Sequence, residues 1–400
     1  MNYLYLDHCS TTPLDPVVAD VMRSAALDAR GNPASLHQAG QAARRLLEDA
    51  RARLARRLGA DIEAVDGERL VITSGGTESN NLALFGLVGE PPGRVIVSAV
   101  EHPSVLAAAG QLRLRGFDCQ SAPVDVQGRV QLDALENLLT PDARLVSIQY
   151  GNHETGVVQP IAEIAELCRR RGVRMHCDAV QAVGKTPLDF RQLQLDALTF
   201  TAHKLHGPVG VGGLLLRPGV VPTPRLWGGT QQLGLRPGTE SVMLTVGFAT
   251  AFERYLDQGA SAPEHLAARR DQLEARLTAG AEEVVVAGLG APRLPHVLNA
   301  AFLGCDRQSL LLALDRAGVA CSSGPACQSG ASEPSAVLRA MGLSQPVLNA
   351  ALRFSVGLGT TAAEVDDAAD RILKIVNDLR RRAEARKYAA PPRLSDAHRL

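Results

Sequence analysis

Four hundred residues exceed what one small core serves, so about two domains are expected. With 46% hydrophobic and 21% charged residues, the composition excludes disordered and fibrous classes. The 42 basic and 42 acidic side chains cancel, which leaves no electrostatic footprint for a nucleic-acid partner.

Along the chain, Asp7 and His8 arrive too early for a secretory apolar core, and no apolar run reaches about 18 residues. Seven scattered cysteines do not form a disulfide framework. A cytoplasmic, reduced protein without a membrane partner is expected. From about residue 69 to 216, short apolar runs alternate with helical patterns. "RLVITSGGTESNNLALFGLV" reads as strand, glycine turn and helix, and "RVIVSAVEH" and "PSVLAAAGQLRLRG" as strand and helix. "ARLVSIQYGNHETG" is a strand with a polar turn, and "IAEIAELCRRRG" a helix closed by glycine. "VRMHCDAVQ" and "ALTFTAHK" are strands ending in polar residues, and "GVGGLLLRP" is a further strand. Such alternation implies a mostly parallel sheet with helices on both faces. Ligands of such sheets bind beyond the carboxyl ends of the strands, where Thr77, His102, His153, Asp178, Gln181 and Lys204 fall.

The second half reads as α+β, with long helices in "SVMLTVGFATAFERYLDQG" and "APEHLAARRDQLEARLTAG", and a last helix near 362–385. The expected organisation is a large domain over 15–254 and a smaller one from 1–14 and 255–385. The basic 386–400 stretch is expected to be a flexible tail.

The chain has four lysines against 38 arginines (42 less 4), and Lys204 stands between two histidines in "FTAHKLHGP". Lysine can lose its proton and form a Schiff base, whereas arginine stays charged. "SGGTESNN" offers glycines and then a helix N-terminus, a phosphate site if it is more than a turn. Asp178, ending the strand before that of Lys204, is a helix N-cap if read alone. Together a lysine, a strand-end carboxylate and a phosphate cradle meet the needs of pyridoxal 5'-phosphate. Cys327 lies among small residues in "SSGPACQSGASEPS", while Cys321 reads as a buried structural thiol with a relay thiol as the alternative. Arg353 in "LRFSVG" suits a carboxylate fork, although alone it reads as an edge-strand arginine in water.

In this order "STTP", "GNPASLHQAG", "TSGGTESNN", "EHPSV", "NHETGVVQP", "HCDAVQAVGK", "TAHKLHGPVGVGGL", "LRPGTE", "SSGPACQSG" and "LRFSVG" resemble the cysteine desulfurases of the NifS/IscS type, class V pyridoxal-phosphate enzymes. The resemblance runs nearly full length and implies an α/β fold-type I transferase, large domain plus smaller α+β domain. It implies that Lys204 carries the cofactor and shuttles protons. Asp178 would pair with the pyridine nitrogen, Gln181 would bond the ring hydroxyl, and His102 would stack on the ring. His153 would lie close to the cofactor. Gly76, Thr77, Thr201 and His203 would bind the phosphate, with Thr239 reaching it from the other subunit of a homodimer. Asn32 and Arg353 would hold the carboxylate of L-cysteine. Cys327 would take its sulfur as a persulfide, leaving L-alanine, for delivery to a sulfur-acceptor protein serving iron–sulfur cluster or thio-cofactor biosynthesis.

The chain departs from that pattern in three places. His153 stands where a second Asn is usual; it still donates a hydrogen bond but can also become charged near neutral pH. Thr230, Gln232 and Leu233 remove the charges of a dimer-proximal loop, and Pro325 replaces a Ser before the nucleophile. The alternatives are a selenocysteine lyase, another class V enzyme acting on a different amino acid, or a non-catalytic sulfur-transfer scaffold.

Overall fold

The computed structural model describes residues 3–258, 261–324 and 334–389. Twelve strands are found there: β1 (Leu4–Tyr5), β2 (Arg69–Thr73), β3 (Arg94–Ser98), β4 (Asp118–Ala122), β5 (Ala143–Ser147), β6 (Arg174–Asp178), β7 (Ala197–Thr201), β8 (Gly212–Leu216), β9 (Val284–Val286), β10 (Val297–Phe302), β11 (Val319–Ala320) and β12 (Ala351–Ser355).

Seven of them make one sheet in the order β2-β8-β7-β6-β5-β3-β4, and only β8 runs against its neighbours. Alternate residues serve opposite faces, as the pleat requires. Val95, Leu145 and Leu214 enter one core with Val105 and Leu112 of the helix Pro103–Leu114. Ile96, Val146 and Leu215 enter another with Leu47 and Leu54 of the helix Gln38–Arg57 and Phe248 and Phe252 of the helix Val242–Leu256. Central β7 and β8 are buried throughout, which is why "ALTFT" and "GGLLL" carry no charge. Strand β4, "DCQSA", pairs only with β3 and is half solvated, so its polar sequence gave no strand signal.

The other edge, β2, is closed by the loop with the unusual residues. Gln232 Oε1 accepts from Ile72 N–H at 2.8 Å, and Leu233 beside it is exposed. Strands β12, β10 and β9 form an antiparallel sheet, and β1 pairs in parallel with β11. Leu4 and Leu6 share a core there with Leu273, Phe302, Leu310, Phe354 and Ile372. The helix Ala362–Ala389 carries regular structure past residue 385, and 390–400 lie outside the described residues.

Because β2, β3, β5, β6 and β7 are parallel, their carboxyl ends share one rim. The glycine turn after β2, the His102 turn after β3, the 149–155 turn after β5, Asp178 and Lys204 all leave from it.

Candidate active site

That rim encloses a cavity of about 190 Å³. Gly76, Thr77, His102, His153, Asp178, Gln181, Thr201, His203, Lys204 and Arg353 all line it, so ten of the thirteen residues singled out in the sequence meet there.

Asp178 sits at the base, and both its oxygens are engaged. Oδ1 accepts from Val180 N–H at 3.0 Å, a capping turn, while Oδ2 accepts from Asn80 Nδ2 at 2.7 Å. Asn80 Nδ2 also donates to Ser104 Oγ at 2.9 Å, so the Ser104 hydroxyl turns its proton to His102 Nδ1 at 2.8 Å. Ser104 N–H, which can only donate, points at the same Nδ1 from 3.2 Å. His102 is therefore the helix N-cap of Pro103–Leu114 as well as a cavity wall, and the neutral ring carries its proton on Nε2. Burial lowers the His102 pKa, and Lys204 and Arg353 add to this, while Asp178 opposes it. Asn80 and Ser104 were missed in the sequence. The available signal was spacing: Asn80 lies three residues after Thr77, on the same helix face.

The end of the cavity beside the glycine turn is built by backbone. Gly75 has φ +153°, a conformation that L side chains rarely adopt, and a β-carbon on Gly76 would stand 2.8 Å from Val180 Cγ2. The helix Gly76–Leu87 starts there without a side-chain cap, leaving its first N–H groups for a ligand. His203 Nδ1 lies 3.2 Å from Thr11 Oγ1, and burial pushes its pKa down to about 3. Thr201 Oγ1 donates to Val211 O at 3.0 Å, so its hydroxyl proton is committed away from an anion.

Lys204 is buried, and its Nζ donates to the carbonyls of Cys9 and Ser10, the latter at 2.7 Å. Gln181 Nε2 reaches the same Cys9 carbonyl at 3.0 Å. Arg353 is 2% exposed, not in water as its strand alone suggested. Its Nη2 meets Asp7 Oδ1 and Ser10 Oγ, each at 2.8 Å, and Nη1 meets His153 O at 2.9 Å. Its Nε has no partner among the described residues. His153 packs edge-on against His102 with ring centroids 5.2 Å apart. Burial first, then His102, Arg353 and Lys204, hold its pKa well below the usual imidazole range. These surroundings favour the neutral imidazole.

Two expected residues are not brought to the cavity lining. Asn32 is exposed, and its Oδ1 accepts from Ala34 N–H at 2.9 Å. Thr239 is exposed in the loop before Val242. Cys327 and Pro325 lie outside the described residues. Burial pushes the Cys321 thiol up to about 12, so it is a poor source of thiolate.

The family model described as "Aminotransferase class-V" matches residues 4–367. The chain belongs to the class V aminotransferase family. A "Cysteine desulfurase" of Trichormus azollae is 40% identical, with 95% of this chain and 94% of that one covered. The structure titled "NifS-like protein from Rickettsia africae ESF-5" superposes with a TM-score of 0.86 at 30% identity, covering 94% of this chain and 100% of that one. "SspA in complex with cysteine" superposes with a TM-score of 0.77 at 29% identity, covering 88% and 98%.

Class V enzymes of this kind work with pyridoxal 5'-phosphate, and the cavity fits it. A lysine, a carboxylate, an imidazole wall and an uncapped helix start face one small space. A β-carbon at Gly76 would intrude on that cradle, and no metal-ligand cluster is found among the described residues. Among the described residues no helix is long and apolar enough to cross a membrane.

Proposed function

We infer that this chain is a cysteine desulfurase, converting L-cysteine to L-alanine and placing the sulfur on Cys327 as a persulfide. The observation that carries it is Lys204, Asp178 and Arg353 opening onto one cavity, in a chain 40% identical to a curated cysteine desulfurase. When bound, pyridoxal 5'-phosphate supplies an electron sink conjugated to the substrate α-carbon.

The protein's own groups do the rest. Lys204 holds the cofactor and carries protons at Nζ. Asp178, kept in place by Asn80 and Val180 N–H, secures the ring nitrogen. His102 presents Nε2–H to the cavity and enters as a proton donor. Gly76 and Thr77, at the helix start, hold the phosphate with His203. Arg353, with Nε unpartnered, holds the substrate carboxylate. The Cys327 thiolate forms an S–S bond to the substrate sulfur as the Cβ–S bond breaks, and the carbon left behind takes up a proton. Atoms balance: one thiol becomes a persulfide and cysteine becomes alanine.

The same reading includes a homodimer in which exposed Thr239 completes the neighbouring phosphate site, a sulfur-acceptor protein, a cytoplasmic location, and a division into domains 15–254 and 1–14 with 255–385. Leu4 and Leu6 sharing a core with Phe302 and Ile372 support that division. The test is to incubate the enzyme with L-cysteine, quantify alanine and look by mass spectrometry for one added sulfur on the Cys327 peptide. Cys327→Ala should keep the cofactor and lose sulfur release. Undiminished turnover in that variant would sink the assignment.

A further inference from the structure

One buried carboxylate beside the cavity has no part in the chemistry above. Glu154 follows His153 and is 1% exposed. Its turn is fixed from three sides. Asn152 Oδ1 accepts from the N–H groups of Glu154 and Thr155, each at 2.8 Å. Arg353 on β12 holds His153 O, and Asn299 on β10 donates to Glu154 O at 3.4 Å. The carboxylate is therefore carried on a firm base.

From that base it meets two separate stretches of chain. Oε2 accepts from Ser335 Oγ at 2.6 Å, and Ser335 in turn accepts from Leu338 N–H at 3.1 Å as N-cap of the helix Ala336–Ala340. A β-carbon on Gly324 would stand 3.6 Å from the same Oε2. Gly324 is held by Ser322, whose Oγ donates to Gly324 O at 2.6 Å and whose backbone pairs with Arg353. On its other side, Glu154 Oε1 stands 3.7 Å from His153 Nε2.

Gly324 and Ser335 flank the segment 325–333, which contains Cys327. Cys327 is three residues from Gly324 in the sequence. Burying a carboxylate is costly unless it is bonded or paired. Burial raises the Glu154 pKa, while Ser335, Arg353 and Arg307 oppose that rise.

We propose that Glu154 is a positioning residue for the nucleophilic thiol, bonding Ser335 on one flank of the Cys327 segment and packing beside Gly324 on the other, against the cavity wall whose inner face is His153. This rests on the desulfurase reading. Adjacent residues then serve the cofactor and the thiol: His153 faces the one, and Glu154 holds the chain of the other.

The test uses cofactor-loaded Glu154→Ala, Ser335→Ala and Glu154→Gln, with three measurements. These are the change in cofactor absorbance on adding L-cysteine, single-turnover sulfur transfer to Cys327 by mass spectrometry, and alkylation of Cys327 by iodoacetamide without substrate. Glu154→Ala and Ser335→Ala are each expected to slow transfer by about 10–100-fold. Both should change the alkylation rate and leave the absorbance response intact. Glu154→Gln keeps an acceptor for Ser335 and should retain most of the transfer, and the double alanine variant should be no slower than either single one. Transfer near the wild-type rate in Glu154→Ala would overturn the proposal. So would an absorbance response that falls in step with transfer, the mark of general damage. If the wild type itself moves no sulfur to Cys327, the desulfurase reading fails separately, and the alkylation rates alone decide whether Glu154 positions the segment.

Discussion

Asn80 and Asp178, 98 residues apart in the chain, are joined by a 2.7 Å hydrogen bond from Nδ2 to Oδ2. Through Ser104 the same amide reaches His102, so one side chain orients both the Asp178 carboxylate and the His102 imidazole.

Asn80→Ala should therefore weaken the cofactor site without emptying the cavity of its other groups. A buried hydrogen bond to a charged group contributes about 1.5–3 kcal/mol, so cofactor affinity should fall by about 10–100-fold. Titration of the apoenzyme followed by absorbance measures this. Affinity equal to the wild type would remove Asn80 from the site.

Much of this arrangement is legible in the sequence because strand ends are legible. Asp178 and Lys204 each close an apolar run, and two neighbouring parallel strands must bring such ends to one rim. What the sequence conceals are contacts made by backbone or across long separations. Lys204 is held by carbonyls of Cys9 and Ser10, atoms that every residue owns. Asn80 hides inside a stretch that already reads as a phosphate turn. Arg353 looks solvent-facing on its strand alone, and only Asp7, Ser10 and the His153 carbonyl reveal its burial. The neutrality of His153 is likewise invisible, since it comes from neighbours contributed by other segments.

Lys204→Arg keeps the positive charge and can still reach the Ser10 carbonyl. It cannot form a covalent link to an aldehyde. The variant should fold, show no borohydride-reducible attachment of the cofactor, and lose activity by several orders of magnitude. Retained covalent attachment would place the cofactor on another amine, with Lys185 the nearest candidate in sequence.

Glu101 offers a test in pH. It is fully buried under the His102 turn, where Ser98 Oγ donates to it and Gln149 N–H donates to Oε1 at 2.9 Å. Burial raises its pKa from 4.5 to about 8, with Asp178 adding to the rise. The folded state then binds a proton that the unfolded chain releases, so this group's contribution falls as pH rises from 4.5 to about 8. Glu101→Gln removes that slope. The Tm difference, variant minus wild type, should grow with pH across this window and level off above it. A flat difference would mean that Glu101 is ionised in the fold.

His153→Asn separates a charged role from a packing role. With its pKa held well below the usual range, the ring is neutral through the pH range of ordinary assays. Replacing it by an uncharged amide removes the edge-on contact with His102 and leaves every neighbouring charge unaltered. The rate should drop, since His102 loses the wall that fixes its tilt, while the pH optimum stays where it was. Asn also retains the backbone carbonyl that accepts from Arg353 Nη1, so the substrate KM should be nearly conserved. Measuring kcat and kcat/KM from acid to alkaline pH distinguishes the two roles. An optimum displaced by about one unit or more would show that His153 titrates during turnover, and that burial does not keep it neutral once ligands are bound.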